Sequence, residues 1–460
     1  MWRLGCGVVR CRENGDEAIW SDKNAVRVLS GVRETLMARE TRERYRTVAT
    51  AWTRRRLLPF EVVVCMILRA HKLGIQTGLN KLFAYFGREA QAPTPGAYSR
   101  ARQKLDPALF QALTAQVAQQ FYEVWGESDE VRRWREWRVK AVDGSRLHVP
   151  DTSLTRATYT VQANQVEGAE CVQAMLSVCY DVLNDVGLSA GLRAVCAEKE
   201  FLWGAHAASI GPEDLVVLDR LYMDYSVLAW LTKAAGAFVV RCPAKGFAHV
   251  ERFWSSKQTD QVVTLTKTPS ARALVRAHGL GEQVQVRLVK VELESGEVEV
   301  LATNLFNRRT VTREDLKQVY WMRWGVETFY DRIKGVYEVE RISGESQRAI
   351  EQDVYGVVFL ATLESIVGKE AEQALAEVSQ QRQHQYVKQV NHAVSYSAMV
   401  DNAVELLCDD AVEIEAVYER LCAMFKKNPT SARPGRTHPR TNTNYSKRVR
   451  YYRYRKRLAI

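Results

Sequence analysis

Hydrophobic periodicity changes near Trp137, and the change confines the chain to a mixed fold in which helices and a sheet follow one another. Before it, SDKNAVRVLSGVRETLMARE, LLPFEVVVCMILRAHKLG and RARQKLDPALFQALTAQVAQQFYEVW space their apolar residues for helices over residues 20 to 125, with GREAQAPTPGAYS as an intervening loop. Beyond it, RVKAVDGSRLHV, CVQAMLSVCYDV and GLSAGLRAV are short and β-rich, with an Asn184-Asp185 turn between the last two, and read as adjacent strands of one sheet. A helical stretch from Glu198 to Ser209, the buried-type strand LVVLD, a helix from Asp224 to Ala235 and the strand FVVR then alternate in βαβ fashion. Residues 248 to 299, Val-rich and turn-rich, are expected to form a small β insertion rather than a continuation of the sheet. VLATNLF supplies a last strand, Thr312 caps a long helix, and residues 347 to 425 are helical, acidic and amphipathic.

Three antiparallel strands followed by parallel ones is the RNase H-like order. The expected fold class is therefore α/β, an RNase H-like core with an inserted small β domain, flanked by helical N- and C-terminal regions. A length of 460 residues allows two to four packed units. The expected boundaries are a helical DNA-binding domain over 1–130, the core over 131–345 with the insertion at 248–299, a helical region over 346–425 and a basic tail over 426–460.

Charge is concentrated at one end. From Lys426 to Ile460 there are twelve Lys or Arg and no Asp or Glu, while residues 1–425 hold 53 basic against 54 acidic residues, so the body is nearly neutral. The tail interleaves its cations with Tyr445, Tyr451, Tyr452 and Tyr454, which suits phosphate neutralisation and base or sugar contact, although a solubilising tail has the same composition. Arg54, Arg55 and Arg56, and the pair Arg100 and Arg102, could touch DNA or form solvated charged faces. Nine cysteines, odd in number and without a C-x-x-C pair, suggest a reducing compartment. The N-terminus makes no signal-peptide core, and the apolar runs Leu57 to Leu68 and Val354 to Leu363 fall short of the ~20 residues a membrane helix needs, so a cytoplasmic location is expected. Neither an H-E-x-x-H pattern nor a G-x-x-x-x-G-K loop occurs, so no nucleotide cofactor is expected.

Three carboxylates stand where chemistry could gather. Asp143 ends RVKAVD, Asp219 ends LVVLD, and Glu327 lies within the helix opened by Thr312. Carboxylates at the C-terminal ends of neighbouring strands converge on one crevice, where a helix can add a third. Such a cluster repels itself unless cations hold it, and Mg2+ suits oxygen ligands beside phosphate. An aspartate at a strand end is also an ordinary turn or cap residue. On a helical wheel Tyr320, Arg323, Glu327 and Lys334 share an arc of about 60°, opposite Val319, Met322, Val326, Phe329 and Ile333. That face is either a salt-bridged surface or a phosphate grip beside a metal.

The spacing of Tyr320, Arg323, Glu327 and Lys334 resembles the Y-R-E-K signature of bacterial insertion-sequence DDE transposases of the IS-four type. The resemblance extends over most of the chain, through RRRLLPFEVVV, PGAYSRARQKL, VDGSRLHVPDT, VVLDRLYMDYSVLAWL, FVVRCPAK and LATNLF. It implies that Asp143, Asp219 and Glu327 are a catalytic triad holding two Mg2+ or Mn2+ ions. It also implies that Tyr320, Arg323 and Lys334 grip the DNA backbone near the element end. Arg220 would be a phosphate contact or an ion-pair partner, and Trp254 a base-stacking or a packed aromatic residue. Leu221 and Tyr222 depart from the small residue usual after Asp-Arg, and Ser145 replaces a commoner threonine while keeping the hydroxyl.

The function so implied is cut-and-paste transposition by metal-assisted hydrolysis and strand transfer. The expected partners are double-stranded DNA with terminal inverted repeats, target DNA and a second copy of the chain, in a nucleoid-associated bacterial setting without a membrane. The alternatives are a transposase-derived DNA-binding protein without cleavage, and an RNase H-like nuclease that does not join strands.

Overall fold

A computed structural model describes residues 23–54, 56–70, 74–126, 130–163, 170–293 and 295–432. The basic, tyrosine-rich segment from Arg433 onward, with Arg55, Cys6 and Cys11, lies outside the described residues. The described residues open with six helices: α1 (Lys23–Met37), α2 (Arg39–Arg44), α3 (Phe60–Ala70), α4 (Ile75–Tyr85), α5 (Pro95–Arg102) and α6 (Ala108–Gly126). Helix α5 starts inside the expected loop, because Thr94 caps it and Pro95 occupies its first turn.

A nine-stranded mixed sheet follows, made of β1 (Arg138–His148), β2 (Thr160–Ala163), β3 (Glu170–Asp181), β4 (Val186–Ala194), β5 (Asp214–Leu218), β6 (Ala237–Cys242), β7 (Asp260–Thr266), β8 (Gln283–Glu292) and β9 (Val298–Thr303). Strand β3 pairs antiparallel with β1 and, on its other edge, with β2 and β4, while β1, β5 and β6 run parallel. This is the RNase H-like order expected from the sequence. Asp185, at φ 59°, turns β3 into β4, a left-handed position that Asp tolerates.

The insertion departs from expectation. Strand β9 pairs with β6, β8 with β9 and β7 with β8, all antiparallel, so the inserted strands prolong the central sheet instead of closing a separate one. The reason is that β6 has a free edge once β5 takes its other side, and β9 returns to fill it. Helix α7 (Ser153–Thr158) links β1 to β2, α8 (Tyr225–Ala234) crosses from β5 to β6, and α9 (Ala248–Ser255) and α10 (Arg272–Ala277) belong to the insertion. Between β4 and β5 the expected helix is instead two 3-10 turns, Glu198–Phe201 and Ala207–Ser209.

Strands β5 and β6 are buried on both faces: Leu215, Val217, Ala237 and Val239 face one apolar cluster, and Val216, Leu218, Phe238 and Val240 the other. The first cluster is closed by α11 (Arg313–Trp321), which is followed by α12 (Trp324–Asp331). The second contains residues of α1, α3 and α6 together with residues of α13 (Gln347–Val367), α14 (Lys369–Gln381), α15 (His392–Leu407) and α16 (Ile414–Lys427). The helices before and after the sheet strands in sequence thus share one core.

Arg102 illustrates the joint. It is 3% exposed, and its guanidinium donates to Asp353 at 2.9 Å, Gln352 at 2.9 Å and Ser343 at 2.7 Å. Neither DNA contact nor a solvated face, the two expected readings, fits this position. Arg54, Arg56 and Arg100 are exposed. Cys65 on α3 and Cys408 after α15 are joined as a disulfide. No helix among the described residues is long and apolar enough to cross a membrane.

Candidate active site

Strands β1 and β5 pair in register at Val139 with Leu215 and Ala141 with Val217. Two residues beyond the last pair each strand carries an aspartate, which sets Asp143 and Asp219 level on neighbouring strands. Asp143 is not at a strand end as expected: β1 continues to His148 on β3 alone, and Asp143 marks where its pairing with β5 stops. Its main-chain carbonyl accepts hydrogen bonds from Tyr330 Oη at 2.8 Å and Ser177 Oγ at 3.2 Å, which fix the strand there. Asp219 leaves β5 as a cap, its Oδ1 accepting from Leu221 N–H at 2.7 Å. Leu221 itself is 65% exposed, so the bulky residue after Asp-Arg points outward.

The helix expected to run unbroken from Thr312 is interrupted twice. The N–H groups of Met322, Arg323, Gly325 and Val326 bond three residues back, so the chain tightens into a 3-10 turn between α11 and α12. After Asp331 it loosens into a π turn, Arg332–Val336. The expected stripe still packs inward through Val319, Val326, Phe329 and Ile333. Tyr320 and Arg323 are also buried, in a crevice, and the outward face carries Trp321 at 64% and Trp324 at 44% exposure.

Arg323 joins two of the three carboxylates. Its Nη2 donates to Glu327 at 2.7 Å and its Nη1 lies 3.7 Å from Asp143 Oδ2. The guanidinium lies 5.8 Å from the Tyr320 ring centroid and 5.6 Å from that of Trp324. Tyr320 Oη is buried near it. Lys334, carried by the π turn, donates to Ser145 Oγ at 2.6 Å and to the Arg146 carbonyl at 2.8 Å, so the hydroxyl retained at Ser145 has a partner. Arg220 is exposed and has no ion pair among the described residues. Beside it, Arg241 pairs with buried Glu299 at 2.9 Å. Trp254 sits on α9, half-buried against the core, in the packed arrangement rather than on an open surface.

Glu198, which the sequence did not single out, stands over the same place. Burial first, then the charges of Asp143 and Asp219, pushes its carboxyl up to about 7. Burial likewise lifts Asp143 to about 6, with Asp219 and Glu327 adding to the shift and Arg323 and the Gly144 N–H opposing it. No pattern in the residues around Glu198 could have marked it, since its turn follows β4 without a motif.

No three of the carboxylates, histidines and cysteines among the described residues lie close enough to grip an ion as their side chains stand. Their setting nevertheless fits a hard cation. Asp219 and Glu327 act on Asp143, and Asp143 and Asp219 on Glu198, with one guanidinium between Asp143 and Glu327 whose Nε is buried without a hydrogen-bond partner. Asp143, Asp219 and Glu327 are the residues that would hold it.

These shifts have a sign. Folded-state values above the ordinary carboxylate value of about 4 mean that the folded chain holds protons the unfolded chain has released, so metal-free stability falls as pH rises through the window from about 4 to about 7. Thermal melts of metal-free protein should fall between about pH 5 and about pH 8, less so for Asp143→Asn, and Mn2+ should raise the melting temperature more at the upper pH. A flat profile in wild type, or the same slope in the variant, would contradict this.

Residues 135–363 match the family model described as a transposase DDE domain. The chain carries a transposase DDE domain. Asp143, Asp219 and Glu327 all lie inside the matched segment. No curated protein matches the chain. Among solved structures, a piggyBac transposase synaptic complex with hairpin DNA aligns with TM-score 0.39 at 9% identity, covering 93% of this chain and 89% of that one. That likeness is too distant to carry an argument about the DDE domain's chemistry.

Proposed function

We propose that the chain is a DNA transposase of the bacterial IS-four type, in which Asp143, Asp219 and Glu327 of the DDE domain perform cut-and-paste transposition. The observation that carries this reading is the bridge from Asp143 through Arg323 to Glu327, beside an Asp219 set level with Asp143. When bound, two Mg2+ or Mn2+ ions would polarise the scissile phosphate and activate the attacking water or 3′-hydroxyl. The chain's own residues do the positioning. Arg323, placed between Asp143 and Glu327, would turn to the phosphate oxygens of bound DNA, because a planar guanidinium matches phosphate in a bidentate way. Tyr320, Lys334 and Arg220 hold the adjacent backbone, and Trp321 and Trp324 offer exposed rings beside it. The DNA carries terminal inverted repeats, a second copy of the chain completes the paired complex, and the work is done at the nucleoid of a bacterial cytoplasm.

The test is cleavage of a labelled duplex carrying the terminal repeats of the encoding element, with Mg2+ or with EDTA. The expected result is Mg2+-dependent nicking that frees a 3′-hydroxyl, followed by strand-transfer products. Nicking without joining would instead mark a nuclease, and binding without nicking a DNA-binding derivative. Replacing Trp324 by alanine is expected to weaken DNA binding by roughly tenfold, the loss of one stacked base at about 1–3 kcal/mol. Titration of a fluorescent repeat duplex measures it, and unchanged affinity would remove Trp324 from the interface.

A further inference from the structure

We propose that His206 is a positioning residue for Asp143, holding the peptide of that aspartate in place through Ser177. The inference rests on the transposase reading and adds a residue behind the carboxylates it names. His206 stands between the two 3-10 turns that follow β4 and is fully buried. Its Nδ1 lies 2.9 Å from Ser189 Oγ on β4, and its Nε2 2.9 Å from Ser177 Oγ on β3. Ser177 Oγ in turn donates to the Asp143 carbonyl at 3.2 Å. A missing side chain brings the imidazole this close. Gly191 faces Ser177 across the β3–β4 pair, and a Cβ there would come within 2.7 Å of Phe201 Cδ1 and 2.9 Å of Ala205 Cβ. The chain from Phe201 to His206 can therefore lie against the sheet.

These hydrogen bonds run in one direction. Burial first, then the charge of Arg193, pushes the imidazole down to about 3, so it is neutral, with one donor and one acceptor nitrogen. Because the single Ser177 proton goes to the Asp143 carbonyl, Nε2 carries the ring proton and donates to Ser177, and Nδ1 accepts from Ser189. Every member of the row is then satisfied, and a satisfied polar row buried in a core fixes one arrangement of the groups it joins. Asp143 is where that matters. Pairing of β1 with β5 has already stopped at Ala141, so the Asp143 peptide is held by β3 and by two hydroxyls, those of Ser177 and of Tyr330, the latter at 2.8 Å. Tyr330 also reaches the Leu176 carbonyl at 3.1 Å and stands three residues after Glu327 on α12. One hydroxyl thus ties the Asp143 carbonyl to the helix of Glu327, and the other ties it to His206. A carboxylate that is to hold a cation must stay within about 0.5 Å of its working position, and a strand that has lost one neighbour needs such support to keep it there.

The test uses the full chain and Mn2+ alone, with free Mn2+ read by electron paramagnetic resonance during titration and a thermal melt of the same protein. Wild type is expected to bind Mn2+. Ser177→Ala and His206→Leu should each bind it about tenfold or more weakly, the loss usual when a group that orients a metal ligand is removed. The double variant should bind no more weakly than the weaker single one, because both changes cut the same row. If His206→Leu does not fold, His206→Asn serves in its place, since its shorter amide can meet Ser189 but not Ser177. Thr114→Val, which deletes a buried hydroxyl bonded within α6, should shift the melting temperature and leave Mn2+ affinity unchanged. Wild-type Mn2+ affinity in Ser177→Ala or in the His206 variant, or additive losses in the double variant, would overturn the role of His206 and leave the transposase reading standing. A wild type that binds no Mn2+ would overturn both.

Discussion

Glu327→Gln is expected to abolish metal-dependent DNA cleavage, by roughly a thousandfold or more, with DNA binding within a factor of a few of wild type. The substitution keeps the size of the side chain and an oxygen that can accept the Arg323 hydrogen bond now made at 2.7 Å. It removes one negative charge from the set that would hold the cations. Charge stabilisation by a bound metal is worth several kcal/mol of transition-state energy, and each 1.36 kcal/mol is tenfold in rate, so loss of one ligand reaches about 10^3. Binding survives because phosphate contacts come from Arg, Lys and Tyr side chains that the change does not touch. The measurement is single-turnover nicking of the repeat duplex beside a gel-shift titration. Cleavage within tenfold of wild type would place Glu327 outside the chemistry and return the Arg323 pair to a structural helix contact.

The largest stability effect is expected far from that site. Arg102→Ala should lower the unfolding free energy by about 3–5 kcal/mol, because it leaves Asp353 buried without its countercharge. Asp353 is 4% exposed and accepts from Arg102 at 2.9 Å, and the same guanidinium bonds Gln352, Ser343 and the Ala349 carbonyl. The network ties α5 to α13, which precede and follow the sheet strands in sequence, so its loss should unseat both. Arg100→Ala, two residues away and exposed, should stay within about 0.5 kcal/mol of wild type. Urea denaturation of the two variants makes the comparison. An Arg102→Ala protein of normal stability with weakened DNA binding would restore the DNA-contact reading of this arginine.

Much of the site could be read from the residues because it depends on local rules. Short-range periodicity marked β1, β3, β4, β5 and β6, and with them the neighbouring placement of Asp143 and Asp219. The four-residue spacing from Arg323 to Glu327 marked a pair that one helical turn brings together at 2.7 Å. The straight-helix assumption behind the wheel did not survive, since a 3-10 turn and a π turn flank α12. Arg323 still meets Glu327 one helical turn on, and Lys334, carried by the π turn, reaches β1 at Ser145.

Glu198 was invisible for a different reason. It stands over Gly144, 54 positions earlier in the chain, and no local pattern records such an approach. Arg102 was misread on the same ground, since charge in a sequence looks solvated until a buried Asp353 is placed beside it. The edge of β6 likewise gave no sign that β9, with β8 and β7 behind it, would return to it.

The sequence by itself determined the order of most strands and helices and pointed to a transposase DDE domain and three candidate carboxylates within it, because hydrophobic period and motif spacing act over a few residues. Only the tertiary structure decided that the inserted strands prolong the sheet, that the terminal helices share a core, and that Glu198 stands over Gly144. Those outcomes depend on which distant surfaces bury each other, and burial between distant segments is a property of the folded chain.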